Sequence, residues 1–181
     1  VLIPLPTERY MPAEYRVRIA AEAWEIAGCR ALRRAVFCDE QNIFAGDDAD
    51  ARDAIAIPLA AISSLGVVMD QVVGTVRIHE DAPGEWSGSR LAVRPGYRRV
   101  GGLGSQLIRL AVSLAHASGA HRFTAHVQAQ NVPLFRSLHW HSIREEVLHG
   151  HPHHLMWADL AHYPPEGARE ITVLRERQAA A

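Results

Sequence analysis

Apolar positions along the chain follow two alternating periods. From Glu22 to about Gln41, Trp24, Ile26, Ala27, Ala31, Leu32, Ala35 and Val36 recur at helical spacing while Arg30, Arg33 and Arg34 take the other side, which predicts an amphipathic helix. Leu103, Leu107, Leu110, Ala111 and Leu114 mark a second helix over 103–117. Stretches with period-two or β-branched character predict strands over 15–20, 54–63, 72–80, 89–93 and 121–128. A short helix over 131–138 and two closing strands, 142–148 and 155–160, follow, the latter pair flanking a loop Gly150-His151-Pro152-His153-His154. The pattern is that of an α/β domain over 15–163. Pro4, Pro6 and Pro12 make residues 1–14 an extended arm, and the polar, Ala-rich residues 164–181 read as a docked or frayed tail.

With 181 residues, 48% of them apolar, the chain is long enough for one packed core. Its nineteen cations are all Arg and face twenty acids, for a formal charge of -1, so no global field draws it to nucleic acid or an anionic membrane. The absence of Lys excludes Schiff-base chemistry and a Walker A phosphate loop. Cys29 and Cys38 are too few for a disulfide scaffold and read as cytoplasmic thiols. The longest apolar run, Ala54 to Ile62, contains Pro58 and falls well short of the ~20 residues of a membrane span, and no signal peptide is evident.

The most informative junction is Arg98-Arg99-Val100-Gly101-Gly102-Leu103-Gly104-Ser105, a glycine turn between a strand and the second helix. Backbone amides at a helix start, with the positive end of the helix dipole, attract anions. Gly102 and Gly104 let a phosphate approach those amides, and Arg98 or Arg99 adds charge-assisted hydrogen bonds. A Rossmann site is excluded, because the pattern lies mid-chain, reads R-x-x-G-x-G and lacks the acid expected about twenty residues on.

This turn, preceded by Leu91-Ala92-Val93-Arg94-Pro95 and followed by Gln130-Asn131-Val132-Pro133-Leu134-Phe135-Arg136-Ser137-Leu138, resembles the cofactor-binding core of the GNAT acyltransferase superfamily over about residues 16–160. The resemblance implies a mixed, mostly antiparallel sheet of six or seven strands flanked by about four helices, with two strands splayed at the cofactor site. It implies acetyl-CoA or another acyl-CoA as donor, Leu91, Ala92 and Val93 as the strand edge for its pantetheine arm, the amides of Val100 to Ser105 for its pyrophosphate, and Asn131 and Phe135 beside it. It also implies a small amine acceptor and, at superfamily level, a homodimer. The stretch Arg33-Arg34-Ala35-Val36-Phe37-Cys38-Asp39-Glu40-Gln41 is similar to branches sharing features with acyl-homoserine-lactone synthases, which leaves an acyl carrier protein open as donor. Residues 126–156 most resemble GNAT proteins of nitrilase-linked nitrogen-starvation and cyanide-assimilation clusters, where a silent acyl-CoA-binding or partner-binding module is the rival to an enzyme.

Acyl transfer to an amine needs a base, a polarising group and an acid for the departing thiolate. Phe135 occupies the place where many relatives carry a Tyr acid, so that role is vacant or moved. Glu80, ending a strand, and His126, near the expected splay, are the base candidates, each with a structural alternative as a solvated strand end or a packed core histidine. Phe37, Glu40, Gln41, His79 and His154 are the acceptor-side candidates, Glu40 for a cationic substrate. Six histidines between His139 and His154 lack enforced metal spacing, and no metal is expected. Asp47, Asp48 and Asp50 lack the calcium-loop pattern and read as a solvated turn, while Arg77 and Arg90 are either salt-bridged or carboxylate clamps.

Overall fold

The computed structural model describes residues 14–65, 68–165 and 170–174. The expected N-terminal arm lies outside them except for Glu14, as do residues 166–169 and 175–181 of the expected tail. The strands are β1 (Glu14–Ile19), β2 (Ile57–Leu65), β3 (Val68–Ala82), β4 (Glu85–Val93), β5 (Arg122–Gln128), β6 (Trp140–Leu148), β7 (His151–Ala158) and β8 (Glu170–Leu174). They form one sheet in the order β6-β7-β5-β4-β3-β2-β1-β8. Only β4 and β5 run parallel; every other neighbouring pair is antiparallel. Three α-helices accompany it among the described residues: α1 (Ala23–Arg34), α2 (Leu103–Ala117) and α3 (Val132–Ser137).

The expected mixed, mostly antiparallel sheet is present, with one more strand than the periodicity showed. Ile171 and Val173, within the stretch read as a tail, pair through β8 with β1, where Val173 is buried. The histidine-rich segment expected as a loop belongs to β7 from His151 on, because its backbone pairs with both β5 and β6.

Alternation along the strands sorts the core into two layers. Leu59, Ala61, Val76 and Ile78 join the α2 stripe of Leu103, Leu107, Leu110 and Ala111 on one face, and Ala60, Ile62 and Val72 join Cys29 and Leu32 of α1, with Val36 just beyond it, on the other. α1 lies close on the sheet because Gly28 faces Val72; a β-carbon there would stand 2.7 Å from a Val72 methyl. Its start is fixed by a capping box between Glu22 and Glu25, and the fully buried Glu25 also pairs with Arg18. The helix continues as π-helical turns over Ala35–Glu40, a rare geometry frequent at functional sites. No helix of the described residues is long and apolar enough to cross a membrane.

Candidate active site

β4 and β5 pair from Glu85 with Arg122 to Gly88 with Ala125 and then diverge. Beyond that rung β4 stays on β3 and β5 stays on β7, so the backbone edge of 89–93 that faces β5 has no strand partner. A bulge accompanies the divergence: Arg77 opposes Ser89 and Thr75 opposes Ala92, leaving Arg90 and Leu91 against Val76 alone. Arg90 takes a left-handed φ of 58°, a strained conformation for a side-chain-bearing residue.

A cavity of about 390 Å³ passes through this gap. On the α2 face it is lined by Ile108, Ala111, Val112, Phe123, Val127 and Phe135, and on the α1 face by Phe37, Gln41, Phe44, Arg90, His126 and Gln128. Leu91 and Asn131 also line it. At the adjoining turn Gly101 and Gly102 have φ of 51° and 64°, and Gly102 precedes α2 with no side-chain cap on the helix. A β-carbon at Gly102 would have no neighbour nearer than 3.9 Å, so the space over the first amides of α2 is open. Arg99 is exposed there, whereas Arg98 reaches back to the Val93 carbonyl and to Glu40. Val100 and Leu103 turn their side chains into the core. Ala92 is buried against the α1 layer, and Val93 is half-buried.

His126 stands on the α1 face of β5 with Thr124 and Gln128, as the alternation requires. Gln128 receives Gln41 from the end of the π-helical turns: its Nε2 donates to Gln41 Oε1 at 2.9 Å. His126 Nδ1 donates to Glu146 Oε1 of β6. Partial burial acts to raise the Glu146 carboxyl, but the contact and charge of His126, with help from Arg144, prevail and hold it below its ordinary value. Bonding at Nδ1 fixes the tautomer and leaves Nε2 to accept a proton. Glu146 has no signal in the sequence, since it reaches His126 only by sheet pairing across β7.

The other base candidate is placed elsewhere. Glu80 is exposed at the β3–β4 hairpin, where it accepts from the Gly84 amide at 2.8 Å, and it does not line the cavity. His79 is buried beside it, bonded to Asp81 and Ser87, and burial lowers its pKa. Glu40 pairs with Arg98 at 2.7 Å and is outside the cavity too, so it is not a free carboxylate for a cationic substrate. His154 bonds Ser142 and does not line the cavity; its neighbour His153 does, together with His149, whose ring packs edge-on to Phe44 at 4.8 Å. Among the described residues no group of three or more His, Cys, Asp or Glu side chains gathers in metal-binding proximity.

Of the acidic segment Asp47 is exposed as a solvated turn would have it, but Asp48 and Asp50 are taken up by arginines. Asp48 is 2% exposed and accepts from Arg33 Nε at 2.7 Å and Arg90 Nε at 2.8 Å; Asp50 meets Arg77 at 2.6 Å, and Asp53 meets Arg33 and Arg77 at 2.6 and 2.7 Å. Three arginines and three aspartates thus neutralise one another beneath the α1-side wall. The Arg77 hydrogen bond holds Asp50 below the usual carboxylate range; at Asp53 burial opposes, but Arg33 and Arg77 prevail and the carboxyl is again held low. Arg90 lies over the Phe44 ring at 4.3 Å, so the network also sets the aromatic wall. The sequence left Arg77 and Arg90 open between salt bridge and clamp; both are salt-bridged while lining the cavity.

A model of the acetyltransferase (GNAT) family matches residues 30–140. Among solved structures, Escherichia coli ElaA shares 20% identity over 81% of this chain and 99% of its own, with a TM-score of 0.67. An acyl-CoA N-acyltransferase from Pseudomonas aeruginosa shares 19% identity over 80% of this chain and 97% of its own, at a TM-score of 0.66. FeeM, an N-acyl amino acid synthase from uncultured soil microbes, shares 14% identity over 86% and 94%, at 0.63. At these identities the likeness is one of fold. No curated protein matches the chain.

Proposed function

The chain belongs to the acetyltransferase (GNAT) family, and from that premise we propose that it is an N-acyltransferase that moves an acyl group from acyl-CoA to a small amine, with His126 as the base. The observation that supports this best is the cavity through the β4–β5 gap. It has an unpaired strand edge and an uncapped helix start at one end and a carboxylate-oriented imidazole on the opposite face.

The residues fit the donor. The free edge of 89–93 offers amides and carbonyls to a pantetheine arm, and the first amides of α2, with Arg99 and a rearranged Arg98, suit a pyrophosphate. The amine enters from the α1 side, between Phe44 and His126, and attacks the thioester carbonyl carbon. A carbon–nitrogen bond forms, the carbon–sulfur bond breaks, and the amine proton passes to His126 Nε2. Glu146 stabilises the imidazolium that results. Phe135, buried and packed edge-on against Trp140 at 5.0 Å, has no proton to give, so the departing thiolate takes one from the imidazolium or from water. Neither Cys29 nor Cys38 lines the cavity, consistent with direct transfer in a ternary complex.

The setting we assign is the cytoplasm, supported by two free, buried thiols. Nitrogen metabolism rests only on the resemblance of residues 126–156 to the nitrilase-linked group. The test is thiol release from acyl-CoA across a panel of small amines, with calorimetric binding of CoA alongside. We expect amine-dependent release that His126→Ala abolishes while CoA binding persists; equal release by His126→Ala overturns the assignment of the base.

A further inference from the structure

The charges around the cavity do not sum to zero. Arg33, Arg77 and Arg90 are matched by Asp48, Asp50 and Asp53, but a fourth cation, Arg52, also lines the cavity. Its guanidinium is in no hydrogen bond or ion pair among the described residues. Asp50 is the one carboxylate in the described lining, and Arg77 and Arg90 already hold it. The backbone of Arg52, by contrast, is fixed. It belongs to the 3-10 turn Ala51–Ala54, whose start is closed by a capping box between Asp50 and Asp53, with Asp50 Oδ1 accepting from the Arg52 amide at 3.0 Å. The same two aspartates take up Arg77 of β3, at 2.6 and 2.7 Å. The network thus holds this turn over β3 and leaves one exposed arginine side chain on the cavity without a counter-charge.

Arg77 opposes Ser89, and the position after the Gly88–Ala125 rung sets Ser89 level with His126. The turn over Arg77 and the imidazole of His126 therefore stand about two strand spacings apart, roughly 10 Å, on the α1 face. An α-amino acid with its nitrogen at His126 Nε2 and its carboxylate on a guanidinium spans that interval, with a hydrogen bond of about 3 Å at each end. Building on the acyl-transfer reading above, we propose that the acceptor is an amine carrying a carboxylate, an α-amino acid, and that Arg52 binds the carboxylate. Arg77 and Arg90 are committed to aspartates, whereas the fork of Arg52 is free to take both carboxylate oxygens. The sign is opposite to a site for a purely cationic substrate. The carboxylate takes no part in the transfer: the nitrogen gains the acyl group and gives its proton to His126, and the sulfur leaves with CoA.

Steady-state transfer from acetyl-CoA to glycine, leucine and phenylalanine, each against its amide, tests this. The acids are expected to show a KM about tenfold below that of the amides. Arg52→Gln is expected to raise KM for the acids about tenfold with kcat little changed and to leave the amides as they were, while Arg52→Lys recovers part of the loss. Added salt should raise KM for the acids alone. The Arg52 side chain holds nothing else in place, so thermal unfolding of both variants is expected to match wild type. Amides used as well as acids, or an acid preference that survives Arg52→Gln, overturns the carboxylate site and leaves acyl transfer standing. No thiol release with any acceptor and no CoA binding overturns the acyl-transfer reading instead. Calorimetry of the same acids and amides on the free protein then decides the site: binding of acids alone, lost in Arg52→Gln, keeps it, and equal binding or none overturns it.

Discussion

Arg98 donates through Nη2 to Glu40 Oε2 at 2.7 Å, tying the glycine turn before α2 to the end of the π-helical turns that wall the other side of the cavity. Both side chains are more than a third exposed, so the pair adds little to stability. Its consequence is competition, since a phosphate at the turn draws on the same guanidinium. Glu40→Gln is expected to tighten CoA binding a few fold at low salt, and Arg98→Ala to weaken it about tenfold. Titration calorimetry at two salt concentrations checks both, and unchanged affinities remove Arg98 from the site.

Gly101 and Gly102 share a left-handed backbone but differ in what surrounds them. A β-carbon at Gly101 would stand 2.4 Å from a Val173 methyl of β8, whereas Gly102 opens to space. Gly101→Ala is therefore expected to lower stability by about 2 kcal/mol through crowding and strain. Gly102→Val is expected to cost about 1 kcal/mol in strain yet to abolish CoA binding, because its side chain fills the phosphate path. Denaturant unfolding and calorimetry on the two variants separate the effects.

The His126–Glu146 pair predicts two different kinetic signatures. His126→Ala is expected to reduce kcat by about 100-fold or more, the usual contribution of a positioned base. Glu146→Gln keeps a hydrogen-bonding group but removes the carboxylate that orients the imidazole through Nδ1. Its kcat is expected to fall about tenfold with KM little changed. Steady-state kinetics identical to wild type would show that Glu146 does not act on the base.

The arginine–aspartate network makes the fold sensitive to acid. Asp50 and Asp53 are held below their unfolded-state values, so the stability they contribute is fully present above about pH 4 and is lost as pH falls toward the folded values. Asp53→Asn leaves Arg33 and Arg77 short of a counter-charge and is expected to cost on the order of 3 kcal/mol at pH 7. The deficit should narrow below about pH 4, where Asp53 begins to take up a proton in the unfolded wild-type chain while it stays ionised in the folded one. Urea unfolding of both proteins from pH 7 to pH 3 measures it, and a constant difference would place the effect outside ionisation.

The chain by itself determined most of the architecture, because periods of two and 3.6 residues report directly which way side chains point. The α1 and α2 stripes, seven of the strands and the glycine turn are legible for that reason, and so is the placing of His126 with Gln128 on one face of β5. β8 escaped notice because five residues in a polar stretch carry too little pattern, and they become a strand only by pairing with β1. What the tertiary structure decided are relations between residues far apart in sequence. Glu146 meets His126 across a third strand, Asp48 is buried between Arg33 and Arg90, and Glu40 is taken up by Arg98. Local pattern encodes the direction of a side chain but not its partner, and the partner decides whether a carboxylate orients a base, neutralises an arginine or, like Glu80, only closes a hairpin.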